Sequence, residues 1–191
     1  QFSNDWFKWH EPHWKKLFSQ LKPAKYLELG SYEGSSTCFF IEESSKYVPE
    51  LHITCIDFWG DDTARRGSQT PEETKATFSS NIECARSGVK LPMKIDVFHE
   101  KTITAIPKIY NIYGLDYYDL IYIDASHKAS DVLTDTAFSF PLLRRNGIMI
   151  FDDYLSEAKP GIDGFVNLNS RNLSIIQTQF NGQLFIQKIK T

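Results

Sequence analysis

Tyr26-Leu27-Glu28-Leu29-Gly30-Ser31-Tyr32-Glu33-Gly34-Ser35-Ser36-Thr37 is a run that stops being apolar at a glycine, turns, and opens on three hydroxyl side chains. The apolar part reads as a strand and the hydroxyl run as the start of a helix. Together they make a βα unit, whose turn lies at the carboxyl edge of a parallel sheet, where open α/β proteins bind their ligands. A dinucleotide turn needs glycine at the middle of G-x-G-x-x-G so that pyrophosphate can approach the backbone, and here that position is Tyr32. The Gly-Lys-Ser/Thr ending of a phosphate-cradling loop occurs nowhere in the chain. What remains is a glycine turn preceded by an acid, Glu28, which suits a ligand carrying an ammonium group.

Outward from this turn the chain keeps alternating strand and helix. A helix is expected from Thr37 to Tyr47, then a strand Leu51–Ile56 that ends at Asp57. An acid there suits a ribose, because one carboxylate can accept hydrogen bonds from two hydroxyls. Phe58 to about Thr70 reads as a charged loop, and Pro71–Ser87 as a helix capped by Thr70. Met93–His99 alternates as a third strand, followed by a short helical turn that Thr102 begins or caps. The strand Leu120–Ile123 ends at Asp124, a helix follows over Asp131–Phe140, Arg144–Gly147 reads as a turn, and the strand Ile148–Phe151 ends in Asp152-Asp153. Two neighbouring strands thus end in aspartate at one sheet edge, which is costly without a cation. Gly161–Leu168 reads as a helix, and Leu173–Thr178 and Gln183–Ile189 as a hairpin about Asn181-Gly182. Ahead of the first strand, Asn4–Leu21 carries Trp6, Phe7, Trp9, Trp14 and Phe18 at amphipathic spacing. It reads as one or two helices broken near Pro12, either docked on the body or acting as an aromatic lid.

The 191 residues suit one domain over 1–191, with 1–22 as its N-terminal aromatic segment. A net charge of −3 and a pI near 6.0 give no footprint for nucleic acid. No apolar stretch approaches the roughly 18 residues of a membrane span, so a soluble, cytoplasmic chain is expected. Three dispersed cysteines point to free thiols in a reducing compartment. The chain starts at Gln1 and not at Met, which suggests a trimmed or processed chain, or a segment of a longer protein.

With these residues in hand, the chain resembles class I S-adenosylmethionine (SAM) dependent methyltransferases from Tyr26 to Ile189. It looks most like the small-molecule O-methyltransferases typified by the catechol enzyme and the metal-dependent sugar enzymes. Leu-Glu-Leu-Gly-x-Tyr-x-Gly-x-Ser, Ile-Asp-x-x-His and Phe-Asp-Asp-Tyr carry the likeness jointly. The fold so implied is Rossmann-like, a mostly parallel seven-stranded sheet with an antiparallel C-terminal strand and helices on both faces. By the same resemblance Glu28, Gly30, Ser31, Tyr32, Gly34 and Ser36 surround the methionine part of SAM, and Asp57 holds the ribose. Phe58 or Trp59 flanks the adenine, Thr102 borders it, and Asp124 sits against the cofactor. Asp124, Asp152 and Asp153 would bind a divalent metal, Mg²⁺ before Mn²⁺ or Ca²⁺, since all-oxygen ligands select hard cations. The residue three places after the first metal acid is a lysine base in the catechol branch and here is His127; the aspartate base of the sugar branch is here Ser126. The base is therefore assigned to His127.

The resemblance implies methyl transfer to a metal-activated hydroxyl of a small molecule, a carbohydrate first. The amino-nitrogen motif Asn/Asp-Pro-Pro-aromatic is missing, which argues with the acidic balance against nucleic acid. Two alternatives stand beside it: a metal-dependent hydroxylase-like relative on the same fold, and a non-catalytic SAM-binding module within a larger protein.

Overall fold

A computed structural model describes residues 2–60, 69–180 and 182–190. The expected charged loop falls partly on 61–68, outside the described residues. The elements are β1 (Lys25–Leu29), β2 (Leu51–Asp57), β3 (Met93–His99), β4 (Tyr118–Ile123), β5 (Leu143–Phe151), β6 (Leu173–Phe180) and β7 (Gln183–Lys188). The helices are α1 (Glu11–Leu21), α2 (Ser35–Ser44), α3 (Pro71–Ser87), α4 (Thr102–Tyr113), α5 (Ala129–Ser139) and α6 (Lys159–Leu168). Single 3₁₀ turns lie at Trp6–Trp9 and Phe140–Leu142.

The seven strands form one sheet in the order β3-β2-β1-β4-β5-β7-β6. β1 to β5 are mutually parallel, and β7 runs antiparallel to both β5 and β6. This is the Rossmann-like class I methyltransferase fold that the sequence led us to expect. The strand order reverses between β1 and β4, and that crevice is where the opening glycine turn sits.

Both faces of the sheet are covered, so the central strands are apolar on alternate residues in both directions. Leu27, Leu29, Ile121, Ile123, Met149 and Phe151 pack against α4, α5 and α6. Tyr26, Ile53, Cys55, Tyr122 and Ile150 face α1, α2 and α3, where Trp14, Phe18, Phe40 and Phe78 fill the space. The N-terminal aromatics belong in part to this second core, with Trp14 and Phe18 fully buried. Cys38, Cys55 and Cys84 are free thiols.

Three local expectations are corrected. Pro12 does not break a helix: it lies in the first turn of α1, where a missing N–H costs nothing, and the break falls at His10. Thr102 opens a twelve-residue helix rather than a short turn, and that helix carries Pro107 in its interior. Arg144–Gly147 is absorbed into β5 and is not a free turn. Tyr118 pairs with Leu143 and Leu120 with Ile148, so β5 spends three extra residues there, and Asn146 takes the left-handed conformation (φ 64°).

Candidate active site

The carboxyl ends of β1, β2, β3, β4 and β5 surround a cavity of about 1290 Å³. That is room for a nucleoside-sized ligand and a second small molecule together. In the turn after β1, Gly30 (φ 90°), Tyr32 (φ 46°) and Gly34 (φ 82°) are all left-handed. A Cβ on Gly30 would stand 2.1 Å from the backbone oxygen of Asp124, so this turn can lie against β4 only as glycine.

Asp57, at the tip of β2, is steadied by two backbone amides. Its Oδ2 accepts from Tyr32 N at 2.7 Å and its Oδ1 from Trp59 N at 2.6 Å. The Trp59 indole donates to Tyr32 O at 2.9 Å and closes the loop between the two strand ends. Each carboxylate oxygen keeps a lone pair for a ligand. Trp59 is buried against Phe78, while Phe58 is half exposed at the cavity rim, with the Lys101 ammonium 5.4 Å from its ring centre. Thr102 also lines the cavity and donates to Asp135 Oδ1 at 2.5 Å. Burial pushes the Asp135 carboxyl up to about 6.

Ser31, Tyr32 and Ser36 line the cavity, but Glu28 and Gly34 do not. Glu28 is fully buried beneath the turn. It accepts from Tyr26 OH at 2.8 Å and from the Ser36 and Thr37 hydroxyls. Burial holds its carboxyl above the ordinary range, against these hydrogen bonds. Glu28 thus ties the start of α2 to β1 from beneath the turn. Gly34 lies under the Phe78 and Ile82 side chains.

The acids at the ends of β4 and β5 crowd one another. Burial, then the charges of Asp152, Asp153 and Glu28, push the Asp124 carboxyl well above its ordinary value. Asp152 is raised too, chiefly by burial, with His10 opposing. Asp124, His127 and Asp153 each bring a ligand atom within 4.8 Å of the others, and His127 Nε2 stands 2.8 Å from Asp153 Oδ2. Asp152 is outside that group. It turns Oδ1 towards Gln183 Nε2 (3.0 Å), with His10 Nε2 3.8 Å from the same oxygen.

The N-terminal aromatic segment, expected to dock on the body or act as a lid, also reaches the cavity. Asn4, Trp6, Phe7 and His10 come from the N-terminal segment and form one wall, with Trp6 stacked on Tyr32 at 5.9 Å. Glu33 is almost fully buried, accepts from Ser3 N at 2.7 Å through Oε2, and its Oε1 has no partner among the described residues.

No helix among the described residues is long and apolar enough to cross a membrane. No curated protein matches the chain in sequence. Solved structures do match its fold. An O-methyltransferase from Bacillus cereus in complex with SAH superposes with a TM-score of 0.64 at 16% identity, over 94% of this chain and 80% of that one. Cofactor-bound Rv0187 from MTB gives 0.66 at 14% identity, over 95% and 80%. TomG, an O-methyltransferase of tomaymycin synthesis from Streptomyces achromogenes bound to SAM, gives 0.68 at 14%, over 95% and 80%. At such identities the likeness is one of fold. The family model described as "Methyltransferase domain" matches residues 27–154, from within β1 to just past Asp152-Asp153. That match takes in the glycine turn, Asp57, Asp124 and the paired aspartates, and by it the chain belongs to the methyltransferase-domain family.

Proposed function

We propose that the chain is a SAM-dependent O-methyltransferase that methylates a hydroxyl of a small molecule, a carbohydrate in our reading, with a divalent cation beside the acceptor. The observation that carries this is a single cavity joining the glycine turn and Asp57 to the group Asp124, His127 and Asp153. The chain acts as one domain over 1–191, and its N-terminal aromatic segment serves as the lid.

The residues fit both absent groups. Asp57 has lone pairs to spare for the two ribose hydroxyls, and Ser31, Tyr32 and the Gly30 backbone border the space on the methionine side. Phe58 and Thr102 border the adenine. When bound, SAM supplies an electrophilic methyl on a sulfonium. Burial, and then the repulsion of Asp152, Asp153 and Glu28, raise Asp124, and a cation beside it relieves both. A divalent cation at this place supplies Lewis acidity that lowers the pKa of a coordinated hydroxyl.

Within that frame Asp124 and Asp153 hold the cation, with Asp152 as the neighbouring carboxylate. His127, half exposed beside Asp153, takes the proton from the acceptor. Trp6 offers an apolar ring face to a sugar, and Asn4 and His10 offer hydrogen-bonding groups. The closeness of His127 to Asp124 and Asp153 favours a second arrangement in which its imidazole is a third ligand, which moves the preferred metal from Mg²⁺ towards Mn²⁺.

The test is turnover of SAM with a panel of sugar and phenol acceptors, read by product mass. Gain of one methyl group supports the proposal, and gain of oxygen supports the hydroxylase-like alternative. Full activity in excess chelator would remove the cation. His127→Ala that keeps cation affinity but loses kcat marks a base; loss of cation affinity marks a ligand.

A further inference from the structure

Trp14 lies on α1 and is fully buried among the rings of Phe7, Phe18, Phe39 and Tyr122. Its indole N–H donates to Gln183 Oε1 at 3.0 Å. An indole nitrogen can only donate, so this bond fixes which end of the Gln183 amide is oxygen. The NH₂ end must then face the site. It donates to Asp152 Oδ1 at 3.0 Å and to Tyr122 OH at 3.3 Å, and the Tyr122 hydroxyl donates onward to Asp124 Oδ2 at 3.3 Å. Every bond in this chain points the same way, from helix α1 to the carboxylates that end β4 and β5. His10 stands one helical turn before Trp14, on the same face, with Nε2 3.8 Å from the same Asp152 oxygen.

We propose that Trp14 and Gln183 are positioning residues that tie the docking of α1 to the orientation of Asp152 and Asp124. Satisfying the Trp14 N–H requires only the carbonyl of the Gln183 side chain. The two further bonds made by its NH₂ group go to the site, and they hold each carboxylate with a donor behind it so that its outer lone pairs face the cavity. The N-terminal segment is then part of the site twice over: as a wall, through Trp6 and His10, and as a strut, through Trp14. This rests on the proposed reading of Asp124 as a cation ligand with Asp152 as the carboxylate beside it.

The discriminating variant is Gln183→Met. It keeps the length of the side chain and a weak sulfur acceptor for Trp14 and adds no charge, but removes both donors. Mn²⁺ binding by the full chain, without cofactor or acceptor, is followed by the electron paramagnetic resonance signal of the free ion. Amide hydrogen exchange in α1 is followed in parallel. The expected result is Mn²⁺ affinity lower by roughly ten- to a hundredfold, the usual effect of losing outer partners of a metal ligand, here Asp124 through Tyr122 and its neighbour Asp152 directly. Mn²⁺ should also slow exchange in α1 of the wild type and not of the variant. Wild-type affinity in Gln183→Met overturns the proposal. If that variant does not fold, Trp14→Phe keeps the ring packing and frees the amide to turn over; a several-fold loss of affinity is expected, and wild-type affinity again overturns the proposal. If the wild type binds no Mn²⁺, the cation reading falls, and the strut is judged on exchange in Asp152→Ala: faster exchange in α1 keeps it and unchanged exchange overturns it.

Discussion

Gly30 and Asp124 touch through their backbones: the position a Gly30 side chain would occupy lies 2.1 Å from the Asp124 carbonyl oxygen. The turn that lines the cavity and the strand end that carries an acid are therefore set against each other with no room to move. Gly30→Ala must either push β1 from β4 or abandon the left-handed turn. We expect a loss of stability above about 4 kcal/mol, measured by urea unfolding, together with loss of binding of the demethylated cofactor. Near wild-type stability would show that the two strand ends can part.

Asp57 is pre-aimed by the Tyr32 and Trp59 amides, so its removal costs both ligand contacts and loop order. Hydrogen bonds to a charged group contribute about 1.5–3 kcal/mol, which is roughly ten- to a hundredfold in affinity. Calorimetry with the demethylated cofactor should show that loss for Asp57→Ala and a smaller one for Asp57→Asn. An affinity within twofold of wild type would remove Asp57 from the ribose site.

Asp135 supplies a pH dependence with a definite sign. Its folded pKa is raised to about 6 by burial. The folded state then holds its proton more tightly than the unfolded chain does. Stability from this group is fully present below the unfolded value near 4 and is lost as pH rises through about 6. Asp135→Asn keeps an acceptor for Thr102 and removes the ionisation. Thermal melts should find the variant more stable than wild type at pH 8, by an amount on the order of 2 kcal/mol. The gap should close towards pH 4; a gap that is the same at both ends would contradict the assignment.

Lys188 is a buried cation with a complete set of acceptors. Its ammonium donates to Leu143 O at 2.6 Å and Asp116 Oδ1 at 2.8 Å, with Phe140 O at 3.4 Å and Pro141 O at 3.5 Å. It closes the turn Phe140–Leu142 and joins β7 to the start of β5. Lys188→Met keeps the stem but orphans those carbonyls. A loss of about 3 kcal/mol is expected in urea unfolding, with cofactor affinity unchanged in the fraction that remains folded.

Local signals carried the fold far. The strand-to-glycine junctions, the capped helix Pro71–Ser87 and the alternating strand Met93–His99 stand in the structure with the boundaries their residues suggest. The errors share one cause, the reading of punctuation residues out of context. Pro12 reads as a breaker, yet it lies in the first turn of α1, and the helix that Thr102 opens runs on through Pro107. Arg144–Gly147 looks like a turn because Asn-Gly favours left-handed backbone, and the strand uses that preference for a bulge. In the site, acids at strand ends were legible because the apolar runs stop at them. The burial of Glu28 beneath the turn was not legible, because its partners, Ser36 and Thr37, look like helix-start residues and nothing in a linear pattern shows them turning back. Gln183 was invisible for a related reason: a glutamine opening a hairpin strand has no signature until the sheet order places it beside Asp152.

Trp14 and Gln183 are separated by 169 positions. The sheet core between β1 and β5 can close through nearer neighbours, whereas this contact must wait until both the first helix and the last strand have found it. Contacts of such sequence separation form late and slow the final approach to the native state. In refolding from urea, burial of the central strands should therefore precede recovery of cofactor binding, and the lag measures how long the chain spends compact but unfinished at its working edge.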